Sequence, residues 1–520
     1  MSTAPDDAAH RALIELPAGT RGLTAFALAL GTFMQVLDTT IANVSLPTIA
    51  GSLGVSPNQG TWVITSFAVA NGISVPLTGW LMQRYGVVRT FVWSVLLFTL
   101  ASFLCGVAWS FESLIAFRVL QGAVSGPMIP GSQTLLMQIF PASKRGSSLA
   151  IWSMTTLTAP VMGPLLGGYI SDQYSWPWIF LINIPVGLLS GFVCWRALHK
   201  RESAVHRVPV DGIGLALLVV WVGALQIMLD TGKDAGWFDS TQIVAFAVVS
   251  VVCCASFMIW ERYEKHPIVD LSFFRRRNFA VGVFLTCLGY AIFFANVVVL
   301  PLWLQTQLGY TATWAGLVQA PAGIMALLIS PFAGRLVNRY DARWFATLSF
   351  VVLAFGLYLR TLLNSQAAFG DFVIPMLFQG VAMAFFFVSV VTIQLDGIPP
   401  QQVPAATGIS NFLRITAAAF STSIVTTTWD NRALLHQSRL AEASSLYDPT
   451  LQHSLEVLNG AGLAGDQAVG ALTRGMIEQS YMLSSLDIFW ASTWIGLALV
   501  PLVWLTRRPH VAHGIPAVGE

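Results

Sequence analysis

Residues 76–85 read PLTGWLMQRY and residues 331–340 read PFAGRLVNRY, so the pattern P-x-x-G-x-L-x-x-R-Y occurs twice in the chain. Two further pairs keep the same order: Thr61-Trp62 with Thr313-Trp314, and Gln121-Gly122 with Gln379-Gly380. Three ordered matches predict a chain built from two repeated halves. Parallel repeats of this kind are typical of transporters in which two helical bundles rock about a central site.

The composition of the chain places these halves in a membrane. Of its 520 residues, 55% are hydrophobic and 10% are charged, against about 25% charged residues in soluble proteins. Such a chain has too few polar groups to cover a water-exposed surface. This excludes a soluble enzyme, a disordered chain and a disulfide scaffold, and the net charge of +2 gives no reason to expect nucleic acid as a partner.

Long continuous apolar runs predict an all-α integral membrane protein, because a helix needs roughly 20 apolar residues to cross the hydrocarbon core. The sequence offers fourteen candidate spans, at about 22–47, 60–81, 90–109, 112–139, 146–171, 177–198, 212–230, 241–261, 279–304, 312–337, 342–363, 370–395, 404–429 and 484–507. The repeat assigns six spans to each half, and spans 7 and 8 are inserted between them.

The distribution of basic residues predicts the orientation, since cytoplasmic loops are enriched in Lys and Arg. If the N-terminus is cytoplasmic, most of the 27 Lys and Arg residues fall in cytoplasmic segments. The outer segments then hold Lys233, Arg360, Arg432, Arg439 and Arg474, and two more arginines, Arg118 and Arg414, fall inside spans. Both termini are therefore predicted to be cytoplasmic.

The predicted domain organisation follows from the spans. Residues 1–21 and 509–520 are cytoplasmic tails, 22–200 form an N-terminal six-helix bundle, 201–275 hold the two inserted helices with basic loops, and 276–508 form a C-terminal bundle with an outer loop at 430–483. The N-terminal tail lacks the apolar core of a signal peptide.

Asp38 is the strongest single candidate for a functional residue. It lies deep within the first span, where hydrocarbon favours the neutral form of a carboxyl group and an ionisable side chain is a functional candidate by default. A side chain that takes and releases a proton as its surroundings change is what a proton-coupled carrier requires. The alternative interpretation is a structural partner for a buried cation or a clasp between helices.

Arg118 lies near the outer end of the fourth predicted span, at a depth similar to that of Asp38. The two side chains can therefore pair, and a conformational change that separates them would alter the proton affinity of Asp38. A static salt bridge that holds two helices together is the equally weighted alternative.

The spans carry motifs that resemble the fourteen-span drug:proton antiporters of the major facilitator superfamily. The resemblance rests on LDTTIANVSLP at 37–47, on Arg118-Val-Leu-Gln121-Gly122 and on APVMGPLLGG at 159–168. Strings at 33–38, 60–67, 76–80 and 267–271 are similar to the multidrug export proteins of that family, and the resemblance runs from about residue 22 to residue 508. It implies the major facilitator fold.

The resemblance also implies roles for two groups of residues. The antiporter motif of the fifth span comprises Ala159, Gly163, Pro164, Gly167 and Gly168. Its small residues at i, i+4 and i+8 form a face for close helix packing, and Pro164 should kink the helix. The gating loop after the second span comprises Gly79, Arg84, Gly86 and Arg89, but Gln83 stands where the family has an acidic residue.

A binding pocket for varied ligands combines aromatic and Met side chains with a few polar groups. The candidates for substrate binding are Gln35, Trp62, Asn71, Phe293, Asn296, Phe387, Asn411 and Arg414. Arg414 is interpreted as facing the cavity, with bonding to backbone carbonyls as the alternative. The five cysteines lie in apolar stretches without metal-ligand spacing, and no phosphate-binding GxxxxGK[ST] loop occurs. No cofactor and no enzyme activity are therefore predicted.

Residues 430–483 form the only sizeable aqueous insertion, and loops of this length are usually functional or disordered. It is predicted to act either as a lid or as a dock for a partner. The resemblance implies a periplasmic adaptor of the membrane-fusion class and an outer-membrane channel of the TolC type.

The sequence therefore predicts an inner-membrane exporter of hydrophobic drug-like molecules, driven by proton entry through alternating access. A proton-coupled uptake symporter on the same fold is the first alternative, and the antiporter-type motif of the fifth span argues against it. A channel or a non-transporting receptor is the second, and the repeat and the buried Asp38 argue against it.

Overall fold

A computed structural model describes residues 16–140, 152, 158–160, 162–163, 166–171, 173–203, 205, 209–399, 402–443, 449–463 and 465–508. The described part is helical, and no strand occurs within it. Its numbered α-helices are α1 (Ala18–Leu53), α2 (Pro57–Gly60), α3 (Trp62–Ser74), α4 (Thr78–Tyr85), α5 (Val87–Gly106), α6 (Phe111–Ser125), α7 (Met128–Ile139), α8 (Trp178–Leu181), α9 (Asn183–Leu198), α10 (Gly212–Thr231), α11 (Thr241–Tyr263), α12 (Arg277–Thr306), α13 (Ala312–Arg339), α14 (Ala342–Arg360), α15 (Phe369–Gln394), α16 (Val403–Ala443), α17 (Pro449–Gly460) and α18 (Asp466–Val503).

Ten helices in the described part are long and apolar enough to cross a membrane, or eleven if the bent pair α3–α4 is one span. The count of fourteen therefore stays a prediction. When the bent pair is counted as one span, three expected spans account for the difference between eleven and fourteen. The span at 112–139 is divided into α6 and α7, and the span at 146–171 lies partly outside the described residues. The third is α16, which carries too many polar residues to count as an apolar span.

The two copies of the P-x-x-G-x-L-x-x-R-Y pattern differ in backbone shape. Pro76 lies in the break between α3 and α4, which are bent by 57°. Pro331 lies inside the uninterrupted helix α13. Proline removes one backbone donor in either place, so the surrounding packing decides whether the helix breaks.

The helices of each half pack on one another, and one buried hydrophobic cluster extends across both halves. In the first half α1 packs on α7 and α9, and α6 packs on α3 and α5. In the second half α15 packs between α13 and α14, and α18 packs on α14 and α16. Buried aromatic side chains such as Phe91, Phe98, Phe350 and Phe372 fill these contacts.

The inserted helices α10 and α11 pack on each other, and α10 contacts both halves through α3 and α16. The Trp221 ring of α10 meets Phe412 of α16 at 5.6 Å between ring centroids. The Ser423 hydroxyl of α16 donates to the Leu229 carbonyl at 2.5 Å. The inserted helix α10 therefore contacts α3 of the first half and α16 of the second half.

Helices α16 and α18 continue into the predicted 430–483 outer loop from both ends, and the bounds of that loop stay a prediction. At about 1.5 Å per residue, the 41-residue α16 is about twice as long as the roughly 30 Å hydrocarbon core. The protruding ends are joined by Arg432 and His436, which contact the Asp487 carboxylate at 2.7 Å and 2.8 Å. The insertion is therefore a helical hairpin, with α17 at its tip.

Candidate functional site

The Asp38 carboxylate lies at the centre of a buried polar network in the first half. Its side chain is fully buried, and Oδ2 accepts a hydrogen bond from Arg118 Nη1 at 2.6 Å. Oδ1 accepts from Gln121 Nε2 at 3.1 Å and from Asn183 Nδ2 at 2.9 Å. The hydroxyl of Ser102 on α5 also accepts from the side-chain amides of Gln121 and Asn183. The network therefore joins side chains of four helices, α1, α5, α6 and α9.

Arg118 is held on every side by its own contacts. Nε donates to the Val63 carbonyl at 2.9 Å, and Nη1 also donates to Gln121 Oε1 at 2.6 Å. The guanidinium lies over the Phe67 ring at 4.3 Å and over the Phe180 ring at 5.5 Å. A cation placed over aromatic rings and bonded to a carboxylate is stabilised as an ion in the apolar interior.

This arrangement brings together the two residues for which the sequence predicted similar depth. Sequence reasoning did not identify the partners Gln121 and Asn183, although Gln121 was noticed as part of the repeat. Arg118 and Gln121 are three residues apart on one helix, so they share a face, and this signal was available. Asn183 had no such signal, because only tertiary packing brings α9 to Asp38.

Both oxygens of the Asp38 carboxylate accept hydrogen bonds in this conformation. Removing one partner of a buried ion pair leaves an uncompensated charge in an apolar site, which costs several kcal/mol. The pair of Asp38 and Arg118 therefore joins α1 to α6.

The small residues of the antiporter motif lie against α1. Gly163 faces Thr40 so closely that no β-carbon fits, and a β-carbon on Gly167 would lie 3.0 Å from the Ile41 carbonyl oxygen. Ala159 is fully buried, and its carbonyl accepts from the Thr40 hydroxyl at 3.5 Å. Gly168 looks toward Thr313 of the other half. Pro164 lies outside the described residues.

A small cavity of about 20 Å³, enough for roughly one water molecule, lies among helices of the second half and is bordered by Pro160 of the first half. Phe293 is the one predicted substrate residue among the residues that line it. The lining is Pro160, Phe293, Val297, Gln319, Ala322, Gly323, Ala326, Gln379, Gly380 and Met383.

Arg414, Asn411 and Phe387 form a second cluster around Tyr290. The Arg414 guanidinium lies over the Tyr290 ring at 4.5 Å, over Phe387 at 5.8 Å and over Trp152 at 5.9 Å. Its Nη2 donates to Asn411 Oδ1 at 2.9 Å, and Asn411 Nδ2 donates to Gln133 Oε1 of the first half at 3.1 Å. The guanidinium is therefore held mainly by aromatic faces beside the interface between the halves.

The other predicted substrate residues do not line the described cavity. Asn71 donates to Ser125 at 2.7 Å and joins α3 to α6. Asn296 donates to the Ile292 carbonyl at 2.7 Å and to Ser492 at 3.4 Å. Gln35 is buried, whereas Trp62 is 39% exposed at the start of α3.

Arg360 corrects the sequence interpretation, which placed it in an outer segment. Its side chain is fully buried at the end of α14. Nη2 donates to Gln379 Oε1, and this glutamine belongs to the repeated Gln-Gly pair. A positive-inside count treats every arginine near a span end as a loop residue, so it misses an arginine that turns into the bundle.

Of the gating-loop residues, Gly79 lies where the two halves meet. A β-carbon on Gly79 would lie 2.9 Å from Ala405 Cα of the second half. The Arg84 guanidinium lies over Trp80 at 5.5 Å, and Gly86 adopts a φ of 91°. The backbone N–H groups of Val88 and Arg89 donate to the Glu202 carboxylate at 2.9 Å each. Glu202 thus supplies a carboxylate to a loop whose own sequence has Gln83.

Among the described residues, no group of three or more His, Cys, Asp or Glu side chains is arranged to hold a metal ion. The fold and the site therefore define a class: an all-helical, multi-pass membrane protein with a fully buried ion pair inside one half.

Comparison with known proteins identifies the family. Residues 28–422 match the model of the Major Facilitator Superfamily, and the chain belongs to this superfamily of secondary transporters. It is 47% identical over 489 residues to the multidrug export protein EmrB of Escherichia coli (strain K12), which covers 94% of this chain and 96% of that protein. It is 45% identical over 487 residues to the fatty acid resistance protein FarB of Neisseria gonorrhoeae, with the same coverage.

Solved structures agree on the fold. The human organic anion transporter MFSD10 superposes with a TM-score of 0.60 at 12% identity, covering 94% of this chain and 100% of that chain. The proton:xylose symporter XylE superposes with a TM-score of 0.57 at 14% identity, covering 94% of this chain and 96% of that one. At these identities the likeness concerns the fold alone.

Proposed function

We propose that the chain is a drug:proton antiporter that exports hydrophobic toxic compounds across the bacterial inner membrane. The 47% identity to a multidrug export protein over almost the whole chain supports drug export. The single observation that supports proton coupling is the buried pair of Asp38 and Arg118 at 2.6 Å. A buried carboxylate whose counter-ion lies on another helix changes its proton affinity when the helices move.

Alternating access is the proposed cycle, with two six-helix bundles, the inserted pair and fourteen spans in all. Both termini are proposed to be cytoplasmic, which makes the end formed by α4, α7 and the start of α16 the cytoplasmic one. In this conformation that end is closed by Gly79 against Ala405 and by the hydroxyls of Thr134 and Thr407, 3.3 Å apart.

The proposed drug site is the region between the halves that includes the cavity beside Phe293 and the cluster of Arg414, Asn411 and Phe387. The cavity of about 20 Å³ is too small for a drug. We therefore propose that this is a contracted state, and that the aromatic side chains repack as the site opens.

The hairpin of α16 and α18 is proposed to dock a periplasmic adaptor of the EmrA type, which would connect the transporter to an outer-membrane channel of the TolC type. Its projection beyond the membrane thickness and its exposed apolar residues, such as Leu434 and Val469, support this role.

The experiment is drug-induced proton release in inverted vesicles with an imposed proton gradient. Drug addition is expected to collapse the gradient with the native chain and to have no effect with Asp38→Asn. Asp371→Asn is the matched control, because Asp371 caps the start of α15 and lies outside the buried network. If Asp38→Asn couples normally, Asp38 is not the proton site; if drugs move without proton flux in the native chain, antiport is wrong.

A further inference from the structure

The inserted helices α10 and α11, with the turn between them, contact α16 of the second half along one side of that helix. The contacts on α16 are made by Phe412, Ala419, Ser423, Thr427 and Asp430. Steps of seven, four, four and three residues keep these side chains on one face of a helix. At about 1.5 Å per residue, this contact is about 27 Å long, which is close to the roughly 30 Å thickness of the hydrocarbon core.

The turn at 232–240, which joins α10 to α11, makes two polar bonds with α16. Lys233 Nζ lies 2.8 Å from the Asp430 carboxylate, and Trp237 Nε1 donates to the Thr427 hydroxyl at 2.9 Å. The φ of Trp237 is 55°, the one positive φ of a non-glycine residue in the part of the chain that the structure describes. Such a backbone conformation persists only where the surroundings hold it. The turn is therefore held in the shape that brings Trp237 to α16.

The contact of α10 with α3 of the first half is built differently. A β-carbon on Gly72 would lie 3.2 Å from Val222 Cγ1, and one on Gly223 would lie 3.9 Å from Val69 Cγ1. Small and apolar groups thus face each other in the middle of this contact. Such surfaces make no directional bond, so packed helices can shear past one another without breaking one.

Among the described residues, the polar contacts of the insertion with the first half lie at the two ends of α10. Trp80 Nε1 donates to the Pro209 carbonyl at 3.3 Å, just before α10 begins. At the other end the Asp230 carboxylate, which is exposed, faces the Thr65 hydroxyl. Water can replace either partner at an exposed position, so these contacts cost little to break. The insertion is therefore held more firmly by the second half than by the first.

We propose that the inserted pair α10–α11 is a fixed part of the second half, and that α3 of the first half slides along α10 when the two halves rock. The bonds of the turn to Thr427 and Asp430 hold the pair on α16 throughout the cycle. The apolar face of α10 then covers α3 from lipid while the region between the halves opens and closes. This inference rests on the proposed function, because it assumes alternating access.

Crosslinks between pairs of cysteines test which of the two contacts moves. Lys233→Cys with Asp430→Cys joins the insertion to α16, and Val69→Cys with Gly223→Cys joins it to α3. The full chain in inverted vesicles is treated with ethylene bismethanethiosulfonate, a short reagent that links two thiols and is released by dithiothreitol. Ethidium accumulation is measured before the reaction, after it and after release, and the intact mass gives the extent of crosslinking. Each variant is thus compared with its own form before crosslinking.

The crosslink between positions 69 and 223 is expected to lower ethidium accumulation about ten-fold or more, because a joined interface cannot slide. Dithiothreitol should restore it. The crosslink between positions 233 and 430 is expected to leave most of the accumulation in place. The controls are the four single-cysteine variants and the native chain, whose five cysteines are free, and none of them should respond to the reagent. Thr65→Cys with Asp230→Cys joins the same two helices at the end of α10 and should also block accumulation, so the test stands even if the first pair does not fold.

Two results would overturn this inference. Loss of accumulation on crosslinking positions 233 and 430 would mean that the insertion moves against α16. Accumulation that survives crosslinking of both α3 pairs would mean that α3 does not slide on α10. If the native chain moves ethidium without proton flux, the proposed antiport fails, but the crosslinks still decide this inference because they are read from ethidium movement alone.

Discussion

Each half of the molecule buries one arginine beside the glutamine of its Gln-Gly pair, but the two halves treat the charge differently. Arg118 donates to Asp38, Gln121 and the Val63 carbonyl. Arg360 contacts Gln379, the Met376 sulfur and the Phe489 ring, and two of its nitrogens have no hydrogen-bond partner among the described residues. The two halves thus share the Gln-Gly pair and a buried arginine, but among the described residues only the first-half arginine pairs with a carboxylate.

The two arginines also differ in the helix from which their side chains extend. Arg118 lies on α6, three residues before Gln121, whereas Met376 on α15 takes the corresponding place before Gln379. Arg360 instead reaches Gln379 from the end of α14. The two arginines therefore reach the glutamine of their Gln-Gly pair from different helices.

Asp38→Asn is expected to have the largest effect, because it removes the carboxylate that the first-half network has and the second-half network lacks. Proton-coupled transport should be lost, and the buried Arg118 loses its counter-ion, a change that costs about 3–5 kcal/mol of stability. The measurements are the vesicle assay and the thermal unfolding midpoint in detergent. A midpoint equal to that of the native chain would contradict a stabilising role for the buried pair.

Replacing each arginine by lysine comes next, because lysine keeps the charge and loses the guanidinium geometry. Arg118→Lys forfeits the bond to Val63 and at least part of the contact with Gln121, at a cost of about 2 kcal/mol. Arg360→Lys forfeits fewer contacts and should lower the unfolding midpoint less. The comparison of the halves fails if Arg360→Lys is the more destabilising of the two.

Much of this scaffold could be predicted from the sequence. Long apolar runs predicted the helices, and the three repeated pairs predicted two halves. Asp38 and Arg118 were found because a charge within an apolar run is visible without coordinates. These are properties of a local window of sequence, and hydrocarbon tolerates few exceptions to them.

What could not be predicted depends on which way a side chain turns at the end of a helix. Arg360 follows an apolar run like many loop arginines, so its sequence context does not show that it packs inward. Asn183 and Glu202 reach their partners across large sequence separations, and neither belongs to a recognisable motif. The break at Pro76 and the continuous helix at Pro331 likewise have the same local pattern and differ only through tertiary packing.

The contacts of α1 and α12 with their neighbours provide a third comparison. In the first half Gly163 lies directly against Thr40, and in the second half the Ser421 hydroxyl donates to the Ala291 carbonyl at 2.6 Å. Gly163→Ala should force α1 away and cost about 1–3 kcal/mol, whereas Ser421→Ala removes one hydrogen bond worth about 1 kcal/mol. Gly168→Ala is the control, because its added β-carbon meets Thr313 at an ordinary 3.7 Å. Equal unfolding midpoints for Gly163→Ala and Gly168→Ala would contradict the close packing.

The smallest effect is expected where the two Arg-Tyr pairs end, at Gly86 and Asp341. Asp341 caps its own helix through the Arg343 backbone N–H at 3.1 Å, while Gly86 has no side chain and Glu202 caps α5 from a distance. Partial burial raises the pKa of Asp341, but the hydrogen bonds and charge of Arg343, with the charge of Arg508, outweigh it and leave the pKa below 3.8.

A lowered pKa means that the ionised Asp341 stabilises the fold above pH 3.8, and that this contribution is lost as the pH falls through the lower folded-state value. Asp341→Asn should therefore lower the unfolding midpoint near pH 7 by the equivalent of under about 1 kcal/mol. The difference from the native chain should shrink as the pH falls below 3.8. Glu202→Gln is the counterpart in the first half, where the lost carboxylate also ties the 199–203 segment to α5. A difference for Asp341→Asn that stays constant across this pH range would mean that the side chain acts by shape, and the charge at the second Arg-Tyr pair would then have no part in holding α14.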